Sequence, residues 1–186
     1  MAVTAYKFAG TGANNAGVGS IAWLNPGNIV SDNNTDATNE ASPGFTTNRL
    51  VATNFGITSG DVPEGSTIDG VEVEWGLWSD GTIFIQTNNY QLWDAGAVIG
   101  SAKTDSTVWP GSETARVKGG AADVWSATLS QAIVTGSGFG VALWMLYDPE
   151  TLGAPGETHR VDYVKLRVYY TAPASGFVHS VCVVVG

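Results

Sequence analysis

Residues 161–171 alternate apolar and polar side chains with a period of two. The apolar set shares one face and the polar set the other: Val164, Leu166, Val168 and Tyr170 against Lys165, Arg167 and Tyr169. This period predicts a β-strand that buries one face. The next five residues, Ala-Pro-Ala-Ser-Gly, continue neither a strand nor a helix, and a second apolar run follows at 177–185. We therefore expect a β-sheet body that ends at Thr171 and a C-terminal arm beyond it.

The composition favours sheet over helix. The 186 residues include 24 glycines, 44% are hydrophobic and only 13% are charged, which suits one well-buried domain built from short strands. We predict an all-β protein with a single antiparallel β-sandwich, jelly-roll-like, with an extended N-terminal segment and a C-terminal β-arm. An immunoglobulin-like topology is the alternative. The predicted divisions are a glycine-rich N-terminal arm (1–20), the sandwich body (21–171) and a C-terminal arm strand (172–186).

Local patterns place several strands and turns within the body. Alternation over 68–75 predicts a strand, and Asp80-Gly81 after it predicts a hairpin turn into residues 82–86. A second hairpin is predicted at 94–96. Residues 139–147 are apolar on both faces, which predicts a central strand. The only helix candidate is a single turn at 128–134, where Thr128 and Gln131 have the spacing of a capping box.

Charge and cysteine content exclude several classes of partner. The formal charge of −9 repels phosphate backbones, so nucleic-acid binding is not expected. The single cysteine, Cys182, allows neither an internal disulfide nor a cysteine-based metal site. No apolar run reaches the ~20 residues of a membrane span, and the first residues lack the pattern of a signal peptide. We expect a protein without membrane contacts that is made in a host cytoplasm.

Residues with catalytic or metal-binding chemistry are few. His159 and His179 are the only histidines, and no Gly-x-Ser-x-Gly nucleophile motif occurs. Glu72 and Glu74 share one strand face, as glycosidase carboxylates can, but such pairs are usually just solvated. The segment 32–36, Asp-Asn-Asn-Thr-Asp, starts like a calcium loop and then lacks the glycine and glutamate that an EF-hand requires. An irregular calcium site in this loop is the alternative to a simple turn; we predict no catalytic residues, no metal and no cofactor.

The tryptophans provide aromatic surfaces on which sugars can stack. Four of them lie in strand-like apolar segments and are assigned to the core: Trp23, Trp75, Trp125 and Trp144. Trp78 and Trp109 lie near turns instead. If the protein binds a glycan, these two are the residues that we expect to contact it.

Short motifs follow one another in a fixed order over roughly residues 20 to 171. They are Ala22-Trp23-x-Asn25-Pro26-x-Asn28, Asn54-Phe55-Gly56-Ile57, Pro63-x-Gly65-x-x-Ile68-x-Gly70-Val71-x-Val73, Gly119-Gly120-x-x-Asp123-x-Trp125, Ser137-x-Phe139-Gly140-Val141 and the strand from Val161 to Thr171. Together they resemble a β-sandwich module that recurs in structural proteins of tailed bacteriophages. The resemblance implies a virion component with a jelly-roll-like body and no catalytic residues.

The resemblance leaves two places in a virion open. The first is a capsid decoration, or cement, protein: a homotrimer on the capsid exterior that stabilises the shell by binding the major capsid protein. Its arm strand would add to a neighbouring sheet edge through Phe177, Val178, Val181, Val183 and Val185. The alternative is a tail, baseplate or fibre protein whose sandwich binds host-surface glycan. An enzyme such as a polysaccharide hydrolase is the least expected class, because titratable groups are sparse.

Overall fold

Strands make up nearly all of the regular structure in the computed structural model, which describes residues 1–40, 42–81, 86–147 and 157–174. They are β1 (Ala2–Val3), β2 (Lys7–Phe8), β3 (Thr11–Asn15), β4 (Ala37–Glu40), β5 (Arg49–Thr53), β6 (Thr67–Ser79), β7 (Gln86–Asp94), β8 (Ala97–Asp105), β9 (Thr114–Gly119), β10 (Gly140–Tyr147) and β11 (Thr158–Thr171). Helical segments within these ranges are a 3-10 turn, Pro26–Ile29, and one α-helical turn, α1 (Gln131–Val134).

The strands form two antiparallel sheets. In the first sheet β6 and β11 are central neighbours, β9 flanks β6, and β1, β2 and β4 pair along the other edge of β11. The second sheet has the order β3-β5-β10-β7-β8. Side chains from both sheets meet in one apolar core. The predicted all-β, jelly-roll-like sandwich is confirmed.

The period-two patterns produce this core directly. In β11 the side chains of Val164, Leu166 and Val168 are fully buried, whereas the intervening Lys165 and Arg167 are partly exposed on the outer face. Strand β10 lies between β5 and β7, as its two apolar faces predicted. Each buried strand side chain removes apolar surface from water, which is the main stabilising contribution in such a sandwich.

The first 15 residues belong to both sheets rather than to an arm. Strands β1 and β2 pair with β11, and β3 pairs with β5. The predicted N-terminal arm (1–20) therefore differs from the structure. The glycines that suggested loops have another use, since a Cβ at Gly12 would lie 1.9 Å from the carbonyl oxygen of Pro26. Such a close approach of two backbones is possible only for glycine.

One predicted hairpin is confirmed, and the partner strand of the other lies mostly outside the described residues. In the β7–β8 hairpin Asp94 pairs with Ala97, and the two loop residues, Ala95 and Gly96, have φ of 48° and 92°. Positive φ at both positions is typical of a type I′ turn. Asp80-Gly81 does not join neighbouring strands, because β6 lies in the first sheet and β7 in the second. Residues 82–85, where the partner strand was predicted, lie outside the described residues.

The helical turn and the C-terminal boundary lie close to their predicted positions. Helix α1 begins after Ser130, whose hydroxyl accepts a hydrogen bond from the Ile133 amide, so Ser130 and not Thr128 is the N-cap. Strand β11 ends at Thr171 as predicted. The arm residues predicted to bind a partner, 177–185, lie outside the described residues. Within the described part of the chain, no helix is long and apolar enough to cross a bilayer.

Candidate functional site

A cavity of about 300 Å³ opens at the outer face of the first sheet, near the end of β6. Three segments line it: the loop before β4, the end of β6 and the loop before β9. The lining residues are Asn34, Asp36, Trp78, Gly111, Ser112 and Glu113. The structure thus brings one of the two predicted glycan-binding tryptophans into a concave site with amide, hydroxyl and carboxylate groups.

Trp78 points away from the core because of its position in β6. Its neighbours Leu77 and Ser79 are buried, and Trp78 itself is half-buried. The facing residue of β11 is Arg160, whose guanidinium carbon lies 4.8 Å from the centroid of the indole ring. This cation–π contact holds the ring at the wall of the cavity.

A buried carboxylate shapes the loop before β4. Asp162 of β11 is fully buried, and its two carboxylate oxygens each accept a 3.0 Å hydrogen bond, from the backbone amides of Asn33 and Thr35. These charge-assisted bonds satisfy the carboxylate and fix the loop against the sheet. Asn34, between the two donors, takes a left-handed conformation with φ of 60°, which asparagine tolerates better than most residues.

Carboxylates from three parts of the chain meet beside the cavity. One oxygen from each of Asp32, Glu113 and Asp162 lies within 4.8 Å of the others. Oxygen donors of this kind are those that Ca²⁺ takes, although Ca²⁺ takes six to eight. The loop 32–36, predicted to be a simple turn with a calcium site as the alternative, contributes Asp32 to this group. Glu113 and Asp162 had no signal in the sequence that pointed to one another.

The charges of neighbouring carboxylates contribute to raised pKa values at Glu113 and Asp36. Burial raises the pKa of Glu113, and the nearby charges of Asp162, Asp32 and Asp36 raise it further. Burial also raises the pKa of Asp36, as does Asp162, while contacts with Trp78 and Arg160 oppose the rise. Arg160 lies 3.7 Å from Asp36. Burial is the largest cause of both shifts, and like charges from neighbouring carboxylates add to it.

The prediction that Trp109 contacts a glycan differs from the structure, because this side chain is enclosed in the core. Its side chain is only 1% exposed, its indole N–H donates a 2.8 Å hydrogen bond to Asn88, and its ring packs edge-on against His159. A ring enclosed in this way has no free face for a sugar. The turn at Pro110-Gly111 that suggested exposure instead sends Gly111 and Ser112 to the cavity wall.

The other tryptophans mostly follow their assignment to the core. Trp23, Trp75 and Trp125 are buried, as predicted. Trp144 is not: it is half-buried on the outer face of the second sheet, with Arg49 5.3 Å above its ring.

Glu72 and Glu74 serve as structural partners on the outer face of the first sheet. Glu72 accepts hydrogen bonds from Tyr6, Tyr169 and Arg167; although burial opposes it, these bonds hold the pKa of Glu72 below its usual range. Glu74 forms an ion pair of 2.9 Å with Lys165. Both carboxylates are thus engaged by side chains of the fold.

No family model matches the chain, and no curated protein matches it. Among solved structures, a CBM4 protein is similar at 15% identity and a TM-score of 0.43, over 88% of this chain and 94% of that one. TmCBM61 in complex with β-1,4-galactotriose follows at 9% identity and 0.39, over 83% and 85%. The enzymatically active domain of bacteriophage CBA120 tailspike protein 4 is similar at 9% and 0.37, over 88% of this chain and 19% of that one. TM-scores below 0.5 carry no functional conclusion, so function is inferred from the cavity itself.

Proposed function

We propose that the protein is a non-catalytic, glycan-binding β-sandwich of a phage tail, baseplate or fibre, and that it binds host-surface polysaccharide at the cavity beside Trp78. The observation that supports the proposal is the combination of a half-buried indole ring with polar side chains around a cavity of about 300 Å³. Ligand sites combine an apolar surface with a few polar groups that fix orientation. An indole ring supplies that surface for the C–H face of a sugar.

The polar groups of the cavity suit a neutral or basic polyol. Asn34 offers an amide, Ser112 a hydroxyl, and Asp36 and Glu113 carboxylate oxygens, which together can donate to and accept from sugar hydroxyls. Two side chains with catalytic potential elsewhere in the described part of the chain are engaged in the fold. His159 is buried against Tyr147 and Trp109, and Glu72 is held by three donors. Binding without bond cleavage is therefore the function that we propose.

Calorimetric titration with polysaccharides from host surfaces tests the proposal. Trp78→Ala is expected to weaken binding about tenfold or more, since loss of one aromatic anchor commonly costs above 1 kcal/mol. Trp144→Ala is the matched control, because Trp144 is also half-buried under an arginine but lies on the other sheet. Equal effects of the two changes, or release of reducing sugar ends by the protein, would contradict the proposal.

Capsid decoration is a second candidate, favoured by exposed apolar side chains on the outer face of the first sheet. Val3, Phe8 and Val117 are 47%, 42% and 47% exposed, and their register places them on that face, with Lys165 and Glu74 between Phe8 and Val117. Protein interfaces that are not obligate combine apolar and polar surface in this way. In this proposal the protein is a trimer on the capsid exterior that binds the major capsid protein, aided by the arm residues Phe177 to Val185.

Copy number and truncation distinguish the two candidates. Hundreds of copies per particle, with capsid binding that is lost when residues 172–186 are deleted, would support the capsid role. A few copies at the tail, with capsid binding absent in the full chain, would support the glycan-binding role. Light scattering of the purified protein measures whether it forms a trimer.

A further inference from the structure

Strand β9 is an open edge of the first sheet. It pairs with β6 along one side, and no other described strand pairs with its second side. In an antiparallel ladder, alternate residues of an edge strand direct their N–H and C=O groups away from the sheet. Over its six residues β9 therefore presents a row of backbone donors and acceptors, which is a template for a further strand.

The other sheet edges within the described residues are covered or short. Strand β4 exchanges two backbone hydrogen bonds with Leu24, and β3 packs against the 3-10 turn Pro26–Ile29. Strand β8 is crossed at Ser101, whose amide donates a 2.7 Å hydrogen bond to the carbonyl of Trp125. Strands β1 and β2 have only two residues each. A whole strand can thus be added at β9 without displacing a described segment.

The side chains of β9 suit contact with an apolar strand. Arg116 and Lys118 are in register with buried residues of β6 and turn inward, where both pair with Asp105. The outer face of the strand carries Ala115 and Val117, and Val117 is 47% exposed. The charges of β9 are therefore engaged within the fold, while its outer face offers an apolar contact.

The apolar run at 177–185 has the composition of a strand that needs a partner. It lies outside the described residues, and it contains five valines and one phenylalanine but no proline, glycine, lysine, arginine or acid. Segments of this kind have a high β propensity and pair readily with exposed edges. Because the whole stretch 172–186 lacks acidic side chains, its approach to another copy adds nothing to the repulsion from the formal charge of −9.

The place where the described chain leaves the sheet favours a second copy as the acceptor. Pro173 lies 3.6 Å from the position of a Cβ at Gly65, just before β6 begins. The edge of β9 starts where Gly119 pairs with Glu72, about 17 Å further along β6 at the rise of a strand. The four residues 174–177 span at most about 14 Å. The run of the same chain therefore cannot pair with β9 from its first residue, whereas that of a second copy can.

We propose that residues 177–185 of one copy add as a further strand to the β9 edge of a second copy, so that the protein forms oligomers by exchanging C-terminal strands. Backbone hydrogen bonds supply the affinity, and alternate side chains of the arm contact Ala115 and Val117. The inference does not depend on glycan binding. Because the arm adds to an edge outside the apolar core, its release changes the oligomeric state rather than the fold of the body.

Cys182 provides a probe of the arm, because it is the only cysteine. The full-length protein is mixed with the double variant Val117→Cys, Cys182→Ser and oxidised mildly, so that a disulfide between positions 182 and 117 can form only between chains. Ala115→Cys with Cys182→Ser covers a second register, since a disulfide requires Cα atoms within about 7 Å. Mass spectrometry of the linked peptides identifies the joined positions.

Leu146→Cys with Cys182→Ser is the matched control for this experiment. Leu146 is also apolar and is 44% exposed, but it lies on the central strand β10 of the other sheet. The link from position 182 is expected to form in about tenfold or greater yield with at least one of the two β9 variants, because strand pairing raises the local concentration of the thiol.

Light scattering of the full-length chain over a range of concentrations measures the association itself. Val183→Lys places a charge within the apolar run and is expected to raise the concentration at which half of the chains are associated by about tenfold or more. Ser175→Lys adds the same charge before the run and is expected to leave that concentration unchanged. Unaltered circular dichroism establishes that each variant is folded.

Several results would overturn the proposal. Full-length protein that stays monomeric at every concentration excludes exchange. In the variant Val117→Cys that retains Cys182, a disulfide within a monomeric chain would show that the arm pairs with its own body. Equal yields with the β9 variants and with the Leu146 variant, or links between two copies of Cys182 alone, would show that β9 is not the acceptor edge.

Discussion

His159 is a buried titratable side chain that links the stability of the fold to pH. It lies in β11, its Nδ1 atom is 3.3 Å from the hydroxyl of Tyr147, and its ring contacts the ring of Trp109. Burial lowers the pKa of His159 to about 4, an effect that the charge of Asp80 only partly opposes. The imidazole is therefore neutral in the folded protein near neutral pH.

Acidification is expected to destabilise the protein through this histidine. In the unfolded chain a histidine titrates near pH 6.5. Between pH 6.5 and about 4 the unfolded state therefore binds a proton that the folded state does not, and the free energy of unfolding decreases as the pH is lowered. The loss attributable to His159 reaches about 3 kcal/mol near pH 4. Urea unfolding at pH 7, 6, 5 and 4 measures it. In His159→Gln the fall should be smaller over this window; identical falls in both proteins would show that other groups cause the loss.

The candidate site was only partly predictable from single residues. Trp78 lies beside a turn signal and could be proposed from the sequence, but Trp109 has the same signal and is buried. Asp162 and Glu113 are far apart in the chain and come close together beside the cavity because β9 and β11 both lie in the first sheet. No local sequence pattern can predict this contact, because it depends on the order of the strands in the sheet.

At the scale of elements, the β7–β8 hairpin depends on left-handed backbone at its two loop residues. Ala95 has a side chain in that conformation, and Gly96 has φ of 92°. Nothing lies within 4 Å of the position of a Cβ at Gly96. Any cost of adding a methyl group there would come from the backbone conformation and not from a steric clash.

Gly96→Ala is expected to lower the free energy of unfolding by about 1 kcal/mol, because alanine is strained at positive φ. Gly27→Ala is the matched control: a Cβ at Gly27 also meets nothing within 4 Å, and its φ lies outside the left-handed region. That change is expected to be neutral or stabilising by up to about 1 kcal/mol. Chemical unfolding of the two variants measures the difference, and equal effects would contradict the role of the turn.

Long strands were easier to predict from the sequence than short ones. β11 and β10 have 14 and 8 residues, enough for alternation to be visible, and both were predicted. β1 and β2 have two residues each, and two residues cannot show a period. At Asp80-Gly81 the turn motif predicts a local bend, but it does not tell in which sheet the next described strand, β7, lies.

At the scale of the whole molecule, strand β11 holds the N-terminal strands to the first sheet. It pairs with β6 along one edge and with β1, β2 and β4 along the other. The hydroxyl of Thr4 also accepts a hydrogen bond from the Val168 amide within this pairing. The N-terminal residues thus cover an edge of the first sheet that would otherwise present unpaired backbone groups.

Deletions at the two ends of the chain are expected to differ in their effect on stability. Removing residues 1–8 uncovers part of the edge of β11 and should lower the unfolding midpoint by several degrees and promote aggregation. Removing residues 172–186 should leave a folded body with a nearly unchanged midpoint and unchanged glycan affinity. Thermal unfolding and light scattering measure both. A midpoint that falls more after the C-terminal deletion would contradict this view of the fold.

The pairing of Ala2 with Tyr170 has an architectural consequence. Antiparallel partners have Cα atoms about 5 Å apart. A longer polypeptide could therefore enter and leave this sandwich at nearly the same point, as it would if the sandwich were inserted into a surface loop of another domain. Trp78 lies at the other end of β6, about 30 Å away at the rise of a β-strand. A sandwich grafted in this way would be tethered at one pole and would present its cavity at the other, facing away from whatever carries it.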